Sequence, residues 1–357
     1  MGAVCRIGLD IAKHKFQVHG VDARGHDVFN RQILRANVLA FFANLPPCLV
    51  GIEACAGAHY WGRELQKLGH TVRLISPRLV KPFVINNKTD AADARAICEV
   101  VNRPSTKFVR IKSPDQQDLN AWHRIRERLV GNRTALVCQM RSFLHEMGMV
   151  TPQGIQRARK DIPAIIEDLE NTLSMTARDY LSELYSELVD LDGRIEKIEE
   201  RLHAAIKANE ACMRLMKIPG IGPLAASAIV AHVGDGKQFA NGRQFAASLG
   251  LTPRECSSGG KQKLLGITKR GNRYIRTLLV IGANVVCRYW LMQQEPSDHR
   301  KQWVHAVTSR RGKFIAAVAL ANKTARIVWA VLARGEEYRA SEIPLAAVTP
   351  LASAASS

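Results

Sequence analysis

Residues 4–10 read Val-Cys-Arg-Ile-Gly-Leu-Asp, and residues 48–53 read Cys-Leu-Val-Gly-Ile-Glu. Each is a short, largely apolar run that ends on a carboxylate, Asp10 in one and Glu53 in the other. An apolar run without alternation suits a strand buried on both faces. Outward from Asp10, residues 15–22 alternate well enough for a second strand, and Ala23-Arg24-Gly25 turns the chain into a third at about 27–33. Residues 36–45 have a helical pattern stopped by Pro46-Pro47, and 58–68 form another helix closed by Gly69. A strand at 71–76 stops at Pro77, and a basic loop, 78–89, leads to a helix starting near Asp90.

A three-strand meander followed by helix, strand, helix, strand, helix is the element order of a ribonuclease-H-like domain. It places Asp10 and Glu53 at strand ends. Asp90 and Asp93, three residues apart, share one helical face. Alone, Asp90 is explained as an N-cap after Thr89 and Asp93 as a first-turn acid favoured by the helix dipole. Glu53, directly after an apolar strand, is harder to explain by structure. Four converging carboxylates need hard cations, and Mg2+ fits, two ions being able to clamp attacking and leaving oxygens in phosphoryl transfer.

The 357 residues suggest two or three domains. A formal net charge of +19 favours a polyanionic partner, nucleic acid above all. Eight scattered cysteines form no CxxC pair, which argues against a zinc module and a disulfide framework. The N-terminus does not read as a signal peptide, and no uninterrupted apolar run reaches the roughly 18–20 residues of a membrane span, so a cytoplasmic protein with no membrane partner is expected. Residues 115–148 read as helical and basic, with Arg124, Arg126, Arg128, Arg133 and Arg141, and 151–163 as a break. Leu181, Leu184, Leu188, Leu191, Ile195, Ile198 and Leu202 then follow an a/d heptad spacing, which is buried against a partner helix in this chain or in a second copy.

Two further stretches carry chemistry. Ile218-Pro219-Gly220-Ile221-Gly222-Pro223 precedes a helix, and its glycines can let backbone N–H groups reach a phosphate, as in a helix-hairpin-helix turn; an ordinary tight turn is the alternative. Residues 250–276 hold Arg254, Lys261, Lys263, Lys269, Arg270, Arg273 and Arg276 against one acid, Glu255. On composition, a flexible loop gripping the DNA backbone is the simpler account. The sharper one makes a serine of Ser257-Ser258-Gly259-Gly260 a nucleophile on phosphorus, flanked by cations.

Together RIGLDIAKHKFQVHGVD (6–22), VGIEACAGAHYW (50–61), NKTDAADARAI (87–97), IPGIGPLAASAIV (218–230), FAASLGLTPRECSSGGK (245–261) and GITKRGNRYIRTLL (266–279) resemble the DEDD transposases of the insertion-sequence one-hundred-and-ten family. The resemblance runs from about residue 4 to about residue 335. It implies an α/β plus α protein: a RuvC-like domain at 1–150, a coiled-coil middle at 151–210, a mainly helical transposase domain at 211–345 and a loose tail at 346–357. It also implies that Asp10, Glu53, Asp90 and Asp93 hold Mg2+, and that the serine preceding glycine is the nucleophile: Ser258 first, Ser257 in reserve. The expected partners are double-stranded DNA, a structured noncoding guide RNA and further copies of the chain in a dimer or tetramer. Nucleic-acid contacts are expected from Lys88, Arg124, Arg128, Gly220, Gly222 and the basic residues around the serines. The rival readings are a metal nuclease using water without a covalent intermediate, and a non-catalytic nucleic-acid scaffold.

Overall fold

The computed structural model describes residues 3–85, 87, 89–293 and 298–339; Lys88 and the tail expected at 346–357 lie outside the described residues. The chain divides after Pro114 into two compact units.

The first unit is built on a six-stranded sheet in the order β3-β2-β1-β4-β5-β6. The strands are β1 (Arg6–Asp10), β2 (Lys15–Val21), β3 (Asp27–Leu34), β4 (Leu49–Glu53), β5 (Thr71–Ile75) and β6 (Phe108–Val109). β1, β2 and β3 are the antiparallel meander, β4 and β5 run parallel to β1, and β6 runs back along β5. The helices are α1 (Val38–Ala43), α2 (Ala58–Lys67), α3 (Pro77–Val80) and α4 (Asp90–Val101). Such a mixed sheet flanked by helices is compatible with a ribonuclease-H-like domain. The basic loop expected at 78–89 is partly helical, because Pro77 has the fixed φ and missing donor that suit the first position of α3.

Successive strand residues face opposite sides. Ile7, Leu9, Val50, Ile52 and Leu74 are buried with Val38, Phe42, Trp61 and Leu65 of α1 and α2. Gly8 and Gly51, one step out of phase, face α4.

The second unit starts with α5 (Pro114–Glu146), α6 (Ile155–Glu167) and α7 (Met175–Lys207). Leu129, Leu136, Met140 and Leu144 of α5 are buried with α6 and α7, so the compact units divide after Pro114. The break expected at 151–163 is shorter, because α6 runs through Pro163. Proline cannot donate to the carbonyl four residues back, that of Arg159. The Tyr185 hydroxyl of α7 donates to that oxygen instead, at 3.2 Å. Along α7, Leu181, Leu188, Leu191, Ile195, Ile198 and Leu202 are buried and Leu184 packs beside them, all against α5 and α6. Of the two partners open to the heptad seam, the one found here is in the same chain.

There follow α8 (Glu210–Met216), α9 (Pro223–Val233), α10 (Gly242–Ser248), the hairpin strands β7 (Pro253–Glu255) and β8 (Leu264–Ile267), α11 (Arg273–Leu291), α12 (His299–Arg311) and α13 (Lys313–Arg334). α13 is long and apolar enough to cross a membrane, but Ala317, Leu320, Ala321, Ala325, Val328 and Leu332 are buried in this unit's core. It is a core helix.

His123 of α5, 2% exposed, joins α5 to α9 and α11. Ser227 donates its hydroxyl to the Pro223 carbonyl at 2.9 Å, which leaves its oxygen to accept from His123 Nε2 at 3.0 Å. His123 Nδ1 is then free to accept from the Tyr274 hydroxyl at 3.2 Å. The imidazole is therefore neutral with its proton on Nε2. Burial, with Arg126 nearby, lowers its pKa to about 4. Unfolded, the same imidazole titrates near 6.5, so between these values the unfolded chain binds the extra proton and stability falls with falling pH. At about 1.4 kcal/mol per unit, the unit should lose on the order of 3 kcal/mol from pH 7 to pH 4. Urea unfolding at both pH values checks this: His123→Gln should flatten the dependence, and an equally steep one would contradict the assignment.

Candidate active site

Two glycines let the elements that carry the four acids pack closely. A Cβ on Gly8 would lie 2.0 Å from the Ala94 carbonyl oxygen, and one on Gly51 would lie 2.8 Å from Cβ of Val101. α4 can therefore lie directly on β1 and β4. Asp10 is two residues beyond Gly8 and Glu53 two beyond Gly51, so both carboxylates leave the sheet on the α4 side. β1 and β4 are parallel neighbours with Leu9 opposite Ile52, which sets Asp10 beside Glu53. Asp93 immediately precedes Ala94, and Asp90 lies one turn nearer the helix start, where Thr89 accepts from the Ala92 N–H at 3.2 Å. Asp10, Glu53 and Asp93 are half-buried and Asp90 is exposed.

The electrostatics agree. The Cys55 thiol is pushed up by burial, and further by the carboxylates of Glu53 and Asp10. Among the described residues no three His, Cys, Asp or Glu side chains form a ready-made cage. The donor set is nonetheless all carboxylate oxygen, the chemistry a hard divalent cation selects. Gly8→Ala should force α4 outward, because the atoms it meets are backbone. The expected outcome is a loss of about 1–3 kcal/mol in stability, with a fall in DNA strand cleavage larger than Ile97→Val causes. Equal activities at matched stability would show that the close approach has no part in the site.

The serines sit at the tip of the β7–β8 hairpin. Gly259 and Gly260 have φ of +55° and +73°, the left-handed pair a two-residue hairpin turn demands, and the Lys261 N–H donates to the Ser258 carbonyl at 3.1 Å. The two hydroxyls differ. Ser257 donates to Glu255 Oε1 at 2.6 Å and accepts from the Lys263 N–H at 3.2 Å. Ser258 is exposed, and its hydroxyl makes no hydrogen bond among the described residues. Arg254, Lys261 and Lys263 of the hairpin, and Lys269, Arg270 and Arg273 beyond β8, are all exposed. The exit of β8 is clamped: a Cβ on Gly250 would lie 2.1 Å from the Arg270 carbonyl oxygen, and one on Gly271 would lie 1.8 Å from that of Ser248. Within this clamp Lys269 takes a φ of 54°, strained for a residue with a side chain.

Other sequence expectations are altered. A Cβ on Gly282 of α11 would lie 1.9 Å from the Gly220 carbonyl oxygen, so Gly220 serves a close helix crossing. Gly222 is the exposed one, at the open start of α9. On α5, Arg126 pairs with Glu199 at 2.6 Å, Arg133 with Asp192 at 2.9 Å, and Arg141 donates to the Thr151 carbonyl at 3.0 Å. Arg126 and Arg133 tie α5 to α7, and Arg141 ties it to the loop before α6. Arg124 and Arg128 remain exposed, Arg124 beside Glu127 at 2.9 Å. A basic pocket of about 620 Å³, with Arg300, Lys323 and Arg326 in its lining, was not foreseen. Its trace in the sequence is two cations three residues apart within the apolar α13.

A mixed sheet with strand-end carboxylates, followed by a helical unit with a basic serine hairpin, is compatible with the class of DNA-cleaving and DNA-recombining enzymes. The family described as "Transposase IS116/IS110/IS902 family" matches residues 212–298, and the DEDD transposase domain of the IS110 type, described as "Transposase", matches residues 7–149. A "Probable family 20 transposase" of Pseudomonas aeruginosa is 48% identical over 338 residues, covering 94% of this chain and 98% of its own. The transposases for insertion sequence elements IS1111A of Coxiella burnetii and IS1328 of Yersinia enterocolitica are 43% and 40% identical, covering 93% and 95% of this chain and 91% and 99% of theirs. The chain belongs to the IS116/IS110/IS902 family of transposases. Its DEDD domain is of a metal-dependent type, and a transposase binds DNA.

Proposed function

We propose that this transposase cleaves and exchanges DNA strands through a covalent serine–DNA intermediate. The observation that carries this reading is the Ser258 turn: an exposed hydroxyl with no hydrogen bond among the described residues, presented by a two-glycine turn followed by Lys261 and Lys263. Ser258 Oγ attacks phosphorus, the P–O bond to the leaving strand breaks, and that strand's oxygen takes a proton in place of the one serine loses. Attack by the hydroxyl of another strand reverses these bonds and restores the serine. The phosphodiester energy is kept in the phosphoserine, so exchange needs no nucleotide hydrolysis. Lys261, Lys263, Lys269 and Arg270 hold the phosphates and offset the charge that develops.

Asp10, Glu53, Asp90 and Asp93 would hold Mg2+, as two ions. Bound there, the metal supplies Lewis-acid activation of the scissile phosphate. Glu53 and Asp10 end neighbouring strands, and α4, which starts with Asp90 and Asp93, packs on those strands at Gly8 and Gly51, which supports this reading; the ions themselves would draw the four carboxylates together. The exposed Arg124 and Arg128 suit the backbone of a structured RNA transcribed from the element, which would guide choice of donor and target DNA. Gly222 offers its helix start to a phosphate. The working form is a dimer or tetramer acting on chromosomal DNA in the cytoplasm.

A second reading rests on one contact. Glu255, 2.6 Å from the Ser257 hydroxyl, has the geometry of a base beside a nucleophile, and would shift the covalent link one residue back. Capture of the phosphoserine from a stopped reaction tests both readings.

A further inference from the structure

Beside the serine hairpin the second unit carries a groove of about 1190 Å³. Its apolar part includes Leu264 and Leu265 of β8 and Phe314 and Ile315 of α13. These side chains are 56%, 38%, 71% and 54% exposed, an unusual concentration of bare apolar surface. Around them stand Arg254, Lys269, Arg311, Lys323 and Arg326, and no acid is among the described lining residues. Lys323 and Arg326 also line the basic pocket, together with Arg243, Arg300 and Arg334. The two hollows therefore share a wall, one floored by apolar side chains and both edged by cations. Lys323 lies 3.8 Å above the Trp303 ring, and burial, with Arg300 and Arg326 close by, lowers its pKa. Cations crowded in this way gain from a polyanion.

We infer that this groove takes unpaired bases of a DNA strand beside the hairpin, with the phosphates running over the basic pocket. The inference rests on the proposed strand cleavage, which brings DNA to this hairpin. Duplex DNA keeps its bases stacked inside and offers a surface mainly phosphates and groove edges, so it would leave Phe314 and Leu264 bare. An unpaired base has a π face to lay on Phe314, and a cationic edge beside aromatic side chains is how single strands are held without regard to sequence. The volume exceeds the roughly 300–1,000 Å³ of a small-molecule pocket, which suits more than one nucleotide.

The test is fluorescence anisotropy of the full chain with a labelled twenty-nucleotide oligothymidylate and with a duplex of equal length. Phe314→Ala with Leu264→Ser should weaken oligothymidylate binding at least about ten-fold, and duplex binding less than about two-fold. Phe314→Trp should retain binding, and unchanged melting of the variants keeps a folding defect apart. Arg326→Gln should weaken both and reduce the salt dependence. For Phe314→Ala with Leu264→Ser, unchanged single-strand binding, or equal losses on both DNA forms, would overturn the inference. So would a drop in oligomer mass with DNA binding intact, which would make the face a contact between copies. Ser258→Ala should leave oligothymidylate binding untouched, so loss of serine chemistry and loss of the groove are read separately.

Discussion

Asp10→Asn, Glu53→Gln, Asp90→Asn and Asp93→Asn should each reduce strand exchange by at least three orders of magnitude while leaving folding and DNA binding near normal. Losing a metal ligand removes charge stabilisation worth several kcal/mol in the transition state, and about 1.4 kcal/mol is a factor of ten. Binding should survive because the proposed phosphate contacts lie elsewhere, on the cations of the second unit. Folding survives because Asp10, Glu53 and Asp93 stand at the ends of their elements, half-buried, with the apolar core behind them. The measurement is a recombination assay on a plasmid carrying the element ends, beside duplex binding and thermal melting. Near-normal recombination by any two of the four would remove the metal site.

Ser258→Ala should abolish both recombination and the covalent protein–DNA link, with duplex affinity within about two-fold of the parent. On the proposed mechanism the hydroxyl contributes a bond to phosphorus, whereas affinity comes from phosphate contacts. Ser257→Ala removes only the bonds to Glu255 and Lys263 inside the hairpin. Its effect should be mild, a loosened turn costing about 1 kcal/mol. A mild Ser258→Ala and an inactive Ser257→Ala would establish the second reading.

The elements nearest the acids were legible because two independent local signals coincide there. A strand ending in a carboxylate leaves an apolar pattern and a charge, and both runs also hold the glycine that admits α4. The same reasoning could not reach β6, whose two residues are too short for a period, nor α3, hidden in a basic stretch. Pro163 read as a break because local rules penalise proline inside a helix. What relieves it is Tyr185, 22 positions away in sequence and adjacent only after α7 folds back. The heptad of α7 was plain, but a seam does not name its partner, and Leu129 to Leu144 of α5 fill that role. Charge misled in a similar way. Arg126 and Arg133 read only as part of a basic helix, and Glu199 and Asp192, 73 and 59 residues on, turn out to pair with them. In the hairpin, Ser257 and Ser258 are equal in composition and are told apart by the Glu255 contact, a matter of side-chain position alone.

The most direct measurement is the identity of the residue joined to DNA. A Mg2+ reaction with labelled element-end DNA is stopped in denaturant, the adduct is isolated on a denaturing gel, and the linked peptide is sequenced by mass spectrometry. The expected result is a phosphodiester on Ser258, absent from Ser258→Ala and from Asp10→Asn. Strand cleavage with no adduct in the parent protein would contradict the account, and would make the enzyme a metal nuclease that uses water.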